Sequence, residues 1–355
     1  MSYQGPTRRD ILQAGTGLLG ASIIGSARAQ PNPTLIAQLS ALAGAERTQR
    51  LVEGAKKEGT VSIYTSMPVD DMAALTAAFE VKYGVKAKVW RSSSEKILQR
   101  GVLEFKANRF EVDAFETNGP ELEAISREGM LVASNSPALA DLIPQAVPQN
   151  RMWIATRLNI FTCTYNTNLV KKEDLPKTYE DLLDPKWKGK LAVEAEDSDW
   201  LAETVMQMGE EKGLALFKEI ARKNQVSVRK GHTLLGQMVA SGEVPLALTT
   251  YNYITEKMKR AGAPVEWFAL APTVARPNCN GVSKNAPHPH AALLFQDFEL
   301  SEGQVLLGKR NFIPTSKKVP STLNQMPLIF ANPKTTLDDG SKWNKIYEEV
   351  FSRKG

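Results

Sequence analysis

Two apolar rhythms alternate along the chain. Short runs rich in β-branched and aromatic residues are followed by longer stretches whose apolar positions recur every three or four residues. Residues 60–65 (TVSIYT) read as a strand, 70–83 as a helix, 86–90 as a strand, 94–107 as a helix, 112–116 as a strand and 120–128 as a helix. This alternation predicts an α/β domain around a largely parallel sheet. Ahead of it, 30–58 reads as a helical lead-in with an apolar stripe of Leu35, Leu39, Leu42, Leu51 and Val52.

A second phase begins near Met152. The runs 152–156 and 158–165 predict strands, the second a crossing between two halves of the molecule. A turn-rich polar stretch follows, with one short helix. Residues 191–194, 226–228 and 246–249 read as strands, and 200–208, 213–222 and 233–241 as helices, giving another β-α-β unit. Further strands are predicted at 265–270 and 281–282, helices at 289–298 and 301–307, and a closing helix from Tyr347. No internal repeat or low-complexity tract interrupts this order.

The first residues follow a different pattern. Arg8 and Arg9 precede a weakly apolar run from Ile11 to Ile24, and Ala27-Arg28-Ala29 precedes Gln30. This is the layout of a twin-arginine export signal with a small-x-small cleavage site. A membrane span needs about 20 mostly apolar residues, whereas this run is shorter and holds Gln13, Thr16 and Ser22. The expectation is a cleaved signal at 1–29 and a mature chain working in a periplasm.

Composition adds a few exclusions. Of 355 residues, 42% are hydrophobic and 23% charged, as in a soluble globular protein of about two domains. Formal net charge is +5, of which Arg8, Arg9 and Arg28 against Asp10 supply +2, leaving +3. That mild excess, without basic runs interleaved with aromatics, gives no reason to expect nucleic acid as a partner. The two cysteines, Cys163 and Cys279, are open to a disulfide or to two buried thiols. Neither stands in a CxxC, so zinc is not expected.

Several blocks resemble solute-binding proteins of ABC importers, in the extracellular family 1 or ferric-iron-type subgroup. They are Gly54-Ala-Lys-Lys-Glu-Gly-Thr-Val-Ser-Ile-Tyr-Thr-Ser, Arg91-Ser-Ser-Ser-Glu-Lys-Ile-Leu-Gln-Arg, Val112-Asp-Ala-Phe-Glu-Thr-Asn-Gly-Pro-Glu and Tyr165-Asn-Thr-Asn-Leu-Val. The long run Leu175-Pro-Lys-Thr-Tyr-Glu-Asp-Leu-Leu-Asp-Pro-Lys-Trp-Lys-Gly-Lys-Leu-Ala-Val, then Gly242-Glu-Val-Pro-Leu-Ala-Leu and His290-Ala-Ala-Leu-Leu-Phe-Gln-Asp-Phe, continue the match in order. The resemblance implies a two-lobed type II periplasmic-binding-protein fold: mixed, mostly parallel sheets joined by hinge strands around a ligand cleft. Lobe 1 is expected at 59–160 plus 274–308, and lobe 2 at 161–273 plus 309–355. It also implies closure on a small-molecule ligand, a monomer, and an inner-membrane permease with its ATPase as partner, with no resident cofactor.

In open α/β sheets, ligands lie beyond the carboxyl ends of strands, where helix starts offer free N–H groups. Four segments fit: Ser66 after the first strand, Arg91-Ser92-Ser93-Ser94, Glu116-Thr117-Asn118, and Asp197-Ser198 with Trp200. Each also reads as local capping, and Ser92-x-x-Glu95 in particular as a capping box. Arg157, with Arg91, Arg151 and Arg229, offers forks for carboxylate or phosphate. His232-Thr233 opens another helix, and Tyr251 with Trp200 offers an apolar wall.

In iron-binding relatives, adjacent tyrosines supply phenolates to ferric iron. Aligned on Gly242-Glu-Val-Pro-Leu-Ala-Leu, that dyad falls on Tyr251 and Asn252, so the pair is broken. In an extended strand Tyr251 and Tyr253 share a face about 7 Å apart. The family's early histidine falls near Met67-Pro68 and is absent. An iron site would rest on Tyr251, Tyr253 and Glu116. The expected ligand is instead a small organic or phosphorylated anion. A periplasmic hydrolase is the rival class, but the chain lacks Gly-x-Ser-x-Gly and His-Glu-x-x-His, and its three histidines stand at helix starts. A binder serving a membrane sensor is a third reading.

Overall fold

A computed structural model describes residues 32–321 and 326–351. The expected export signal and its cleavage site lie outside the described residues. Two lead-in helices, α1 (Pro33–Ala41) and α2 (Gly44–Glu58), open the described chain. They are pinned by Arg47, which is fully buried and donates to Asp297 at 2.8 Å and to the Ser40 carbonyl at 2.9 Å. An arginine enters a core only with such full pairing.

The first alternation then runs β1 (Thr60–Thr65), α3 (Val69–Tyr83), β2 (Lys86–Arg91), α4 (Ser94–Lys106), β3 (Ala114–Asn118), α5 (Gly119–Arg127) and a short β4 (Leu131–Val132). β5 (Ile154–Asn166) merges the two runs predicted after Met152 into one strand of 13 residues, every one buried. The second alternation is β6 (Leu191–Glu194), α6 (Ser198–Met208), α7 (Glu210–Asn224), β7 (Ser227–Arg229), α8 (His232–Ser241), β8 (Leu246–Tyr251), α9 (Asn252–Arg260) and β9 (Val265–Phe268). The chain returns through β10 (Thr273–Ser283), α10 (Pro289–Leu300), α11 (Glu302–Lys309), β11 (Ile313–Pro314), β12 (Leu328–Phe330), α12 (Pro333–Asp338) and α13 (Gly340–Phe351).

The strands line up as β2-β1-β3-β10-β5-β8-β6-β7. Each flank is parallel: β1 with β2 and β3, and β6 with β7 and β8. The middle is antiparallel, β10 pairing β3 and β5, and β5 pairing β8. β5 and β10 are therefore the two long strands that pass from one flank to the other. β10 replaces the short strand predicted at 281–282. Pro277 hid its first half, because proline inside a sheet forfeits a ladder bond. Here the loss is small: β3 reaches only to Asn278 and β12 only to Ala275, so Pro277 sits where one edge is unpaired.

The apolar faces collect on either side of these strands. Leu51, Ile63, Phe79 and Phe295 anchor one core, and Tyr64, Phe115, Leu122 and Trp153 a neighbouring one. Beyond β5, Phe161, Val193, Trp200, Phe217 and Leu246 form another, closed by Trp343 and Tyr347 from α13. Phe312 packs with the Phe79–Phe295 core. Cys163 and Cys279 are buried free thiols in different cores, and burial raises both pKa values.

Candidate functional site

A helix starts after the carboxyl end of each strand in the two parallel flanks. The residue before each of α3, α5, α6, α8 and α9 makes no side-chain cap bond, although in α6 Asp199 accepts the Trp200 N–H at 2.8 Å. Their first N–H groups lack intrahelical partners by construction. α4 is the exception: Ser93 caps it, accepting from the Lys96 N–H at 3.4 Å. The capping box expected at Ser92 and Glu95 is therefore displaced by one residue, and Lys96 stands where the reciprocal Glu would be.

The floor between these helix starts is built from polar residues on the two long strands. In register, Arg157 faces Asn278 and Asn159 faces Arg276. Side chains two apart share a face, so Arg157, Asn159 and Phe161 line β5 while Arg276 and Asn278 line β10. Arg157, only 2% exposed, pairs with Glu116 and donates to Asn278 Oδ1 at 2.7 Å. Asn278 in turn donates to Asn118 at 2.8 Å, and Thr65 also bonds Glu116. The Nε of Arg157 has no hydrogen-bond partner among the described residues.

Arg276 is the second buried cation. Its fork grips Asp199, with Nε to Oδ2 at 2.7 Å, and it reaches Asp197 at 3.1 Å and the Tyr251 hydroxyl at 2.6 Å. Asp197 also holds His232, at 3.0 Å. Burial opposes both charges of that pair, but mutual attraction wins: the His232 pKa is raised and the Asp197 carboxyl is lowered, Arg276 helping the latter. Nearby, burial and then repulsion from Asp197 raise the Glu194 pKa. Ligand atoms of Glu194, Asp197 and His232 lie within 4.8 Å of one another. Yet Glu194 already accepts from the Gly231 N–H at 2.7 Å and the Glu196 N–H at 2.6 Å, and Asp197 is shared by His232 and Arg276. These carboxylates are satisfied from within and do not form a vacant metal site.

An aromatic ladder stands on this floor. His232 stacks on Tyr251 at 4.1 Å, Tyr251 on Tyr253 at 5.7 Å, and Tyr253 meets Phe312 at 4.4 Å. β8 ends at Tyr251 and Tyr253 lies in the first turn of α9, so the extended geometry expected for the pair is replaced by strand-then-helix. Burial lifts the Tyr253 hydroxyl to about 12 against the pull of Arg157, and burial also raises the Tyr251 hydroxyl well above its ordinary value against Arg276. Both phenols are neutral at ordinary pH.

The two sides touch across the site. Burial raises Glu121, at the start of α5, to about 7; Arg276 opposes this and Asp199 and Glu196 add to it. Lys257 on α9 pairs with Asp70 on α3 at 2.7 Å, Arg260 bonds Asn311 Oδ1 at 2.6 Å, and Asn252 bonds the Asn311 carbonyl at 3.1 Å.

Of the residues singled out from sequence, Glu116, Asn118, Arg157, Asp197, His232 and Tyr251 belong to this polar network, and Tyr253 to the ladder above it. Thr117 is fully buried on the opposite face of β3, its hydroxyl without a hydrogen-bond partner among the described residues. Ser66 sits at the end of β1 with its N–H on the Glu116 carbonyl at 2.9 Å, and exposed Arg91 reaches the Ser66 carbonyl at 3.5 Å. Ser92, Ser93 and Ser94 surround the start of α4. Ser198 bonds Asn344 at 2.5 Å, and Thr233 lies in the first turn of α8. Trp200 is not a cleft wall. It is 1% exposed, edge-on to Phe217 at 5.3 Å, with its N–H on Tyr179, because the first turn of α6 turns it into the core. Arg151 is exposed before β5, and Arg229 pairs with Glu243 at 3.7 Å. Sequence reasoning missed Asn159, Asp199 as a partner, Arg276 and Asn278. Their signal was the period-2 run Arg276-x-Asn278-x-Asn280. A surface hollow of about 390 Å³ lies elsewhere, on the turn-rich segment among Glu173, Asp174, Lys177 and Asp184.

The family described as bacterial extracellular solute-binding protein matches residues 118–328. Iron uptake protein A1 of Synechocystis sp. is 25% identical over 286 residues, 74% of this chain and 79% of that protein. Iron-bound HitA from Pseudomonas aeruginosa superposes with a TM-score of 0.70 at 21% identity, over 82% of this chain and 99% of that one. AfuA from Actinobacillus pleuropneumoniae, solved with fructose-6-phosphate, gives 0.72 at 22% identity, over 83% and 99%. The architecture is the two-lobed type II periplasmic-binding-protein fold.

Proposed function

This chain belongs to the bacterial extracellular solute-binding proteins, and from that premise we propose that it captures a small organic or phosphorylated anion in the periplasm and delivers it to an ABC permease and its ATPase. On this reading one lobe comprises 59–160 with 274–308 and the other 161–273 with 309–355, joined by β5 and β10. Phe312 returns to the first lobe's core before the chain re-enters the second. Export would follow a twin-arginine signal at 1–29, and the role is binding, not catalysis.

The observation that carries the reading is the set of helix starts without a cap from the preceding side chain (α3, α5, α8 and α9) around a polar floor on two adjacent hinge strands. Free N–H groups at helix starts recognise carboxylate and phosphate. Ser66, the Ser92–Ser94 start of α4, Asn118, Ser198, Thr233 and the rings of Tyr251 and Tyr253 would complete the walls. The names of some relatives speak of iron and that of AfuA of a sugar phosphate. For iron, the Tyr251 oxygen would have to give up Arg276 and lose its proton, and Glu116 would have to leave Arg157. That cost favours the anion. The test is native mass spectrometry of chain 30–355 as purified, and again after unfolding and refolding. A bound organic or phosphorylated mass supports the reading. A bound iron-sized mass with a visible phenolate band replaces it with ferric iron on Tyr251, Tyr253 and Glu116.

A further inference from the structure

Resting on the anion reading, we propose that Asn159 is a specificity-determining ligand contact that reads a hydroxyl group, so that the cleft selects hydroxylated small anions such as a hydroxy acid or a sugar phosphate.

Asn159 lies on β5 between Arg157 and Phe161, directly opposite Arg276. It is 4% exposed, its side chain bonds no described residue, and its Oδ1 is buried without a partner. Leaving a buried amide unpaired is destabilising, a cost that leucine, of similar volume, would not incur. Every other polar side chain of this floor is engaged: Arg157 with Glu116 and Asn278, Arg276 with Asp197, Asp199 and Tyr251, Asn278 with Asn118. The two arginines are matched by carboxylates in place, so the floor carries little spare positive charge. It is suited to reading a neutral hydrogen-bonding part of a ligand, while the uncapped helix starts around it take the charged part. An amide both donates and accepts, as a hydroxyl does. The Tyr253 hydroxyl above the same floor also bonds no described residue.

The test uses two probe pairs that differ in hydroxyls: citrate with tricarballylate, and fructose 6-phosphate with inorganic phosphate. Each is titrated calorimetrically into the native mature chain, Asn159→Leu and, as a second variant, Asn159→Ala. The expected result is that the native chain prefers the hydroxylated member of at least one pair by roughly tenfold or more, and that both variants lose the preference while unfolding in urea at no lower midpoint for Asn159→Leu. A preference that survives in both variants overturns the proposal, as does a native chain that binds both members of each pair equally. Both of those outcomes leave the anion reading standing. Failure of all four probes to bind the native chain overturns the anion reading and this inference with it.

Discussion

Arg276 is held by two buried carboxylates and a phenol, and its removal would strand Asp199. Breaking one partner out of a buried pair costs about 3–5 kcal/mol, because the remaining charge is left without compensation. Arg276→Gln should therefore lower the unfolding free energy by about that amount at neutral pH, read as a lower urea midpoint, and adding Asp199→Asn should recover part of the loss. Equal midpoints for the native and Arg276→Gln chains would show that the network is not buried as described. Glu299 makes a second residue-scale prediction. It lies on α10, bonded to Asn280 at 2.7 Å, facing Glu116 on β3 and Arg157 on β5. Burial first, then repulsion from Glu116, lift its pKa to about 8 from an ordinary 4.5, Arg157 opposing. The folded chain thus keeps a proton that the unfolded chain releases, so Glu299 makes stability fall as pH rises from about 4.5 to about 8, and the effect levels off above. The raised pKa of His232 also contributes a loss with rising pH, so the comparison must be made between chains. Glu299→Gln should match the native Tm near pH 5 and exceed it near pH 9. Parallel Tm curves would refute the assignment.

Helix starts are where local and ligand-facing roles overlap, and α4 separates them. Ser93 accepts the Lys96 N–H, whereas the Ser92 side chain caps nothing. Ser93→Ala should cost about 1 kcal/mol of stability, and Ser92→Ala close to nothing. If the start of α4 also meets the anion, both variants weaken binding in calorimetry while only one lowers Tm. This is also the scale at which the sequence was most and least readable. The alternation of β1 through α5 was legible because apolar period changes cleanly from two to three or four, and because strands buried between helices are short and β-branched. β3 came two residues later than predicted, since Val112 and Asp113 belong to the approach and Thr117 and Asn118 complete the strand. β10 was largely invisible. Pro277 interrupts it, and Arg276, Asn278 and Asn280 look solvent-facing until their partners are known. Half of the site lies on that strand, so Glu116, Arg157 and His232 could be nominated but Arg276, their counterweight, could not. A buried polar residue gives no hydrophobic signal. Only the pairing of distant strands shows that its charge is matched.

For the whole molecule, the decisive question is what holds the two flanks together over the site. β5 and β10 belong to both sides, so the buried contacts that run through them cannot report on closure. The contact between Lys257 on α9 and Asp70 on α3 is different, because each end sits on the rim of its own flank and both side chains are more than half exposed. The Asp70 carboxyl is held below its ordinary pKa by its hydrogen bond to Lys257 and by that charge. An exposed pair of this kind contributes little, and salt screens it. In a binder that closes on its ligand, that energy belongs to the closed form alone and so appears in affinity. Lys257→Glu should weaken ligand binding by roughly two- to fivefold, mainly through faster release, with little change in Tm. Native affinity should fall with added salt more steeply than that of the variant. The reversed double variant Asp70→Lys with Lys257→Glu should restore most of the native affinity. If the single variant binds and releases as the native chain does, the pair is an ornament of the closed form, and closure depends on the ligand and on the ladder of His232, Tyr251, Tyr253 and Phe312 instead.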